Sequence, residues 1–219
     1  MRPIGFSTGA LAKGDFLRGL ALARGEAIEL SALRDHELPA LAAAIPSLDL
    51  ARFAYVSVHA PSRTAAEELI FGLLREVPWP IVAHPEILIT PSLWRQLGAR
   101  LCIENMDDRK SNGRTVDELR ALFDVYPEAT FCLDLGHARQ VDPTMNAALA
   151  MLRAFGERLT QLHVSDVGPR GEHRPLGAGA RDAFAEILSQ TDCPLIIESV
   201  VAEDAIAREL EAVQRASWR

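Results

Sequence analysis

The sequence predicts an α/β fold, a single compact (β/α)8 TIM barrel with its functional site at the C-terminal ends of the strands. Three observations carry that expectation. Short apolar runs of strand length recur eight times. Segments with helical spacing separate them. No linker rich in proline or serine, no low-complexity tract and no shift of composition divides the 219 residues. Near-continuous apolar strands joined by crossover helices imply a parallel sheet covered on both faces, and eight such units close into a barrel more readily than they extend an open sheet. Residues 1–219 are therefore read as one domain.

In chain order the strand runs are PIGFST (3–8), AIELS (27–31), AYVSVHA (54–60), PIVAHP (80–85), RLCIEN (100–105), TFCLDLG (130–136), LTQLHVS (159–165) and PLIIES (194–199). Between them lie FLRGLALA, ELPALAAAI, AAEELIFGLLREV, SLWRQLG, VDELRALF, MNAALAMLRAF, ARDAFAEILS and DAIARELEAVQ, good helix formers with apolar residues three and four apart. Thr115 stands as an N-cap before an acidic first turn, Asp117 and Glu118, and Thr90 precedes Pro91 at a first helical position. The chain is near the short end of the range for this fold, which leaves little room for long loops or a lid.

Composition narrows the function. The net charge of -7, from 30 acidic against 23 basic residues, disfavours a broad nucleic-acid-binding surface. The three cysteines, Cys102, Cys132 and Cys193, lie in or beside apolar runs, as buried thiols in a reducing compartment do, so a cytoplasmic location is expected. The N-terminal stretch has glycines and charges where a signal peptide needs an apolar centre, and no apolar run reaches the roughly 18 residues of a membrane helix. Assembly is left open, a homo-oligomer being one form.

The polar residues gather where a barrel of this kind does its chemistry, at the C-terminal ends of the strands. His59 ends the third run, His84 the fourth, Glu104 the fifth, Asp134 the sixth and Glu198 the eighth, and His163 lies late in the seventh. His137 follows the sixth strand by a turn, and His173 lies in the loop after the seventh. Of the six histidines only His36 lies elsewhere. Alternation places Cys102 on the face of Glu104, Cys132 on that of Asp134 and Ile196 on that of Glu198, so small or apolar residues should fill the barrel below a charged crown. Converging carboxylates repel one another and are costly to desolvate, and a divalent cation is the simplest neutraliser. Imidazole with carboxylate and no rim thiolate suits Zn, Mn or Co, at one to three ions per chain. A strand-end carboxylate is also a natural cap for the next helix, the plainer reading of Asp134 and Asp166.

The stretches VHAP (58–61), AHP (83–85), IEN (103–105), DLGH (134–137), LHVSD (162–166), HRPLGAG (173–179) and IES (197–199) together resemble the xylose-isomerase-like TIM barrel superfamily, which includes sugar phosphate isomerases and epimerases and the endonuclease IV (apurinic endonuclease) family. In the isomerase and epimerase branches the resemblance implies one metal held by Glu104, Asp134, His163 and Glu198. Glu104 and Glu198 would double as catalytic acid and base, with His137 contacting a substrate oxygen. In the endonuclease IV branch it implies three zinc ions. His59, His84 and Glu104 hold the first, Glu104 bridges to the second, held by Asp134, His163 and Glu198, and the third uses His137 and His173. The remaining ligand of that third site, an Asp, is replaced here by Gly171, with Glu172 adjacent.

The leading expectation is an isomerase or epimerase on a small carbohydrate or sugar-phosphate-like substrate. Arg170 and Arg174, with other loop arginines, would favour an anionic one, and Asn105 and Asp166 would support the ligands from behind. The alternatives are a multi-zinc phosphoester hydrolase and a non-catalytic metal- or ligand-binding barrel. DNA repair is disfavoured because Ser62 and Arg63 follow His59 where those endonucleases carry bulky wedging residues.

Overall fold

The computed structural model describes residues 2–217. Its eight barrel strands are β1 (Ile4–Ser7), β2 (Ala27–Ser31), β3 (Tyr55–His59), β4 (Ile81–Ala83), β5 (Leu101–Glu104), β6 (Thr130–Asp134), β7 (Leu159–Val164) and β10 (Leu195–Ile197). All pair in parallel, and the ring closes in the order β1-β10-β7-β6-β5-β4-β3-β2. Two short antiparallel strands, β8 (Asp166–Val167) and β9 (His173–Arg174), form a hairpin above β7. Each of the eight apolar runs contains one barrel strand.

The helices are α1 (Thr8–Ala12), α2 (Phe16–Leu22), α3 (Leu38–Ala44), α4 (Glu67–Leu74), α5 (Pro91–Trp94), α6 (Val116–Val125), α7 (Leu135–Val141), α8 (Asn146–Phe155), α9 (Ala178–Gln190) and α10 (Ile206–Ser217). Two of them, α1 and α7, start directly from a strand end with no apolar stripe to announce them. Thr115 caps α6 as expected, accepting from the Glu118 amide at 3.2 Å. Thr90 precedes α5 but makes no cap bond, because its hydroxyl donates to Glu67 instead, at 2.7 Å. Among the described residues no helix is long and apolar enough to cross a membrane.

The main core lies between strands and helices. Leu101, Ile103, Leu133 and Ile197 point outward into it, and Phe123, Phe131 and Phe155 stack there with ring centroids 4.9 to 6.0 Å apart. The lumen is divided. On one side Val82, Cys102 and Cys132 form a separate, fully buried cluster. On the other, Glu29, Ser57 and Gln161 are also fully buried. Gln161 bonds Glu29 although β7 and β2 are not neighbours in the ring, so this contact crosses the lumen. The expected small or apolar filling does not extend to Glu29 and Gln161, which satisfy each other together with the small Ser57.

Glu67, on the first turn of α4, accepts from the amides of Ile89 and Thr90, the Thr90 hydroxyl and the Trp94 indole, all at 2.7 to 2.8 Å. It thus pins the β4 loop to the next helix over a fully buried tryptophan. Glu67→Ala leaves that indole N–H without a partner and should cost about 2 kcal/mol, read as a lower urea midpoint at unchanged slope.

Candidate metal centre

A parallel barrel brings all strand C-termini to one rim, and the registers set residues there side by side: Ser31 beside His59, and Asp134 beside His163. Glu104 sits at the middle, only 1% exposed. Its Oε2 lies 3.2 Å from both His59 Nε2 and His84 Nε2. Its Oε1 lies 3.3 Å from His137 Nδ1 and 3.4 Å from His163 Nδ1. His163 Nδ1 also faces Glu198 Oε2 at 3.5 Å and Asp134 Oδ2 at 3.8 Å.

Asp134 caps the next helix and keeps its second oxygen for the centre. Its Oδ1 accepts from the His137 amide at 2.7 Å and caps α7. Its Oδ2 is buried without a hydrogen-bond partner. The intervening Gly136 lets α7 press onto the following loop, since a Cβ there would lie 2.5 Å from Val167 Cγ2 and 2.8 Å from the Ser165 carbonyl. Asn105 locks the same strand end, donating to the Asp134 carbonyl at 3.0 Å and accepting from its amide at 2.7 Å. Its own carbonyl lies 3.1 Å from His137 Nδ1. The Ala60 carbonyl takes the Nδ1 proton of His59 at 2.6 Å, leaving Nε2 free as a donor atom.

Three donor groups have all their ligand atoms within 4.8 Å of one another: His59, His84 and Glu104; Glu104, Asp134, His163 and Glu198; and Glu29, His59 and Glu198. Nitrogen and carboxylate donors without thiolate fit a divalent transition ion, and the unpartnered Asp134 Oδ2 is the kind of buried orphan that an ion would satisfy.

His137 and His173 join none of these groups among the described residues, although their rings lie 5.5 Å apart. His173 Nδ1 is 2.8 Å from the Ser165 hydroxyl and 3.5 Å from Glu198 Oε2. Gly171 has φ +75, and a Cβ there would come 1.8 Å from the Arg109 guanidinium, so a side chain at this position would be strained and would have to displace that guanidinium. Glu172 is engaged with Arg174 and with the Arg170 amide.

A cavity of about 470 Å³ opens over the centre, bordered by Asp107, His137, His173, Arg63, Arg109 and Lys110 among others. Arg170 and Arg174 stand on the adjoining hairpin and do not border it. Asp166 pairs with Arg139 at 2.6 Å on the loop side. The carboxylate that reaches the back of His163 belongs to Glu29, whose Oε2 is 3.1 Å from Nε2. In the sequence Glu29 and Gln161 are polar residues in largely apolar strands, outside any motif, and Ser57 reads as structural, without a nucleophile-elbow context. The available signal was parity: Glu29 pairs in register with Ser57, two residues before His59.

Burial presses each of these groups toward its neutral form. In Glu104 that pressure is outweighed by the fields of His163 and His84 and hydrogen bonds from His137 and His163, and its carboxyl falls well below the usual range. In Glu198 burial prevails over His163 and His173, helped by Glu104 and Asp134, and the carboxyl is raised. His59 is pushed up to about 9, burial opposing and the Glu104 hydrogen bond with the charge of Glu29 prevailing. His137 is pushed up to about 10, against burial, by Asp134 and Glu104. His84 goes down, through burial first and its charged neighbours His59 and His137 next.

The two raised histidines set a pH dependence. A folded-state value above the ordinary 6.5 means that folding favours the protonated ring, so the stability gained is whole below pH 6.5 and is lost as pH climbs through about 9 and 10. Chelator-treated protein should therefore melt at falling temperature between pH 6.5 and 10. Reloading with zinc should flatten the slope, because bound metal replaces those protons. Differential scanning fluorimetry of both samples checks it, and a flat profile without metal contradicts the assignment.

Residues 89–216 match the model of the xylose isomerase-like TIM barrel family. No curated protein sequence matches the chain. Among solved structures, the apo 3-keto-D-glucoside 4-epimerase from E. coli is similar with a TM-score of 0.58 and 13% identity, over 99% of this chain and 99% of that one. A xylose isomerase-like TIM barrel protein from Mycobacterium smegmatis, in complex with magnesium, has a TM-score of 0.52 and 14% identity, over 88% of this chain and 85% of that one. Identities this low establish a common fold. With the family model matched over more than half of its length, this chain belongs to the xylose isomerase-like TIM barrel family.

Proposed function

We propose that this protein is a divalent-metal-dependent enzyme acting on a small sugar or sugar-phosphate-like substrate, by aldose-ketose isomerisation or ketose epimerisation. The observation that carries the reading is the group Glu104, Asp134, His163 and Glu198, with donor atoms within 4.8 Å of one another beneath a cavity of about 470 Å³. A divalent cation held by these four residues would polarise a substrate oxygen and so acidify the neighbouring C–H bond.

The chain's own residues would do the rest. Glu104 ends β5 and Glu198 follows β10, with β6 and β7 between them, so the two carboxylates approach a substrate from different walls. One takes a proton from carbon and the other returns a proton to the neighbouring carbon or the opposite face. His137 and His173, on the cavity border, can hydrogen-bond hydroxyls, and Arg63 stands there as a cation for an anionic substrate, whereas Arg109 and Lys110 are already paired with Asp107 and Glu86. The cavity is large enough to admit a monosaccharide, and Ser62 and Arg63 at its edge supply no apolar wedge for a duplex. The fold shared with a 3-keto-D-glucoside 4-epimerase supports a carbohydrate substrate.

A second reading, a multi-zinc phosphoester hydrolase, is favoured by one observation: the two oxygens of Glu104 face different histidines, so this carboxylate can bridge two ions.

Two substitutions and a metal count test both. Glu104→Gln should lower kcat by about 10³-fold on any substrate, and full activity in that variant refutes the site. His84→Ala should change kcat/KM by less than about tenfold in an isomerase needing the single four-residue site. In a two-ion hydrolase it should remove one ion and lower the rate by at least about 10²-fold. Elemental analysis of protein purified without chelator, followed by assays on ketoses and on phosphoesters, separates the two.

A further inference from the structure

We propose that Glu29 is the positioning residue of this centre: from below, its carboxylate accepts the ring proton of His163 and so holds Nδ1 toward the ion. The inference rests on the reading of His163 as a ligand and names the residue that sets its orientation.

Three donors converge on Glu29 Oε2 across the lumen: the Ser57 hydroxyl at 3.0 Å, the Gln161 amide nitrogen at 2.8 Å and His163 Nε2 at 3.1 Å. The Tyr55 hydroxyl donates to Gln161 Oε1 at 2.7 Å, so the amide turns its amino side to the carboxylate. That amino group also lies 2.8 Å from His163 Nε2, but as a donor it cannot accept a ring proton. On the other edge of the ring, Nδ1 faces Glu104, Glu198 and Asp134 at 3.4 to 3.8 Å. An imidazole that coordinates through one nitrogen carries its proton on the other, and that N–H needs an acceptor. Glu29 Oε2 is the acceptor within reach, and both residues are fully buried, so water does not compete. A carboxylate behind a histidine ligand fixes the tautomer and the ring plane and makes the coordinating nitrogen a stronger donor.

The other oxygen of Glu29, Oε1, is buried without a partner, and Glu29 forms a donor group with His59 and Glu198. Direct ligation by Glu29 is thus the competing geometry, and the test has to separate the two.

The test is zinc affinity, measured by competition with a chromophoric chelator, in wild type, Glu29→Gln, His163→Ala and the double variant, with circular dichroism of each metal-free chain. Glu29→Gln should keep the fold and bind zinc 10- to 100-fold more weakly. In the His163→Ala background the same change should have no effect, because no ring remains to be held. Independently of any variant, nitrogen-15 NMR of the zinc-loaded wild type should find the His163 ring proton on Nε2. A bare Nε2 overturns the proposal even if Glu29→Gln fails to fold. Undiminished affinity in Glu29→Gln with a loss in His163→Ala overturns the positioning role while leaving the ligand set standing. A loss that persists in the double variant assigns Glu29 to direct ligation and overturns it as well. Unchanged affinity in His163→Ala removes the ligand reading and the inference together.

Discussion

Four carboxylates, Glu29, Glu104, Asp134 and Glu198, converge in one barrel, and the cost of removing them from water is the constraint on which the remaining arrangement depends. Each, left alone, would be driven to its neutral form. The counterweight is imidazole. His163 stands between Glu29 on one edge and Glu104, Glu198 and Asp134 on the other, while His59 and His84 meet the second oxygen of Glu104. His59 and His163 stack at 5.9 Å and His59 meets His84 edge-on at 5.1 Å, so the rings form a packed layer of their own. Against burial, the carboxylates push His59 up to about 9 and His137 up to about 10, so ring protons offset part of the negative charge.

The barrel makes this convergence possible without long loops. Parallel strands deliver every C-terminal end to one rim, and alternation sends every second side chain inward. Polar groups can therefore be inserted into apolar strands one at a time, each flanked by outward residues that pay for it in the surrounding core, as Ile103 does beside Glu104 and Leu133 beside Asp134. The lumen divides accordingly. Val82, Cys102 and Cys132 fill one side, and the network from Tyr55 through Gln161 to Glu29 fills the other, directly beneath His163.

Helix starts contribute a second layer of positioning. Because Asp134 spends one oxygen on the first turn of α7, His137 is carried to the cavity border in a fixed relation to the free oxygen of the same aspartate. Asn105 ties β5 to β6 at that point. On the hairpin side, the left-handed Gly171 supplies no carboxylate and the Arg109 guanidinium packs against it, while His173 meets Ser165 and Glu198.

The eight apolar runs, the cap at Thr115 and the gathering of histidine and carboxylate at strand ends were determined by local sequence alone, because period, propensity and chain order carry that information. The helices α1 and α7 were not legible, since each begins on a strand's last residues and its packing partners come from other strands. Nor was the part played by Glu29, which in AIELS reads as one polar residue in an apolar strand. What it touches depends on barrel closure, which sets β2 opposite β7 although Glu29 and Gln161 are 132 positions apart in the chain. Asp166 illustrates the converse: next to the strand of His163 in sequence, it turns to Arg139 in space. Sequence determined which residues reach the rim; only the closed ring, by fixing register and facing across the lumen, decided which of them meet.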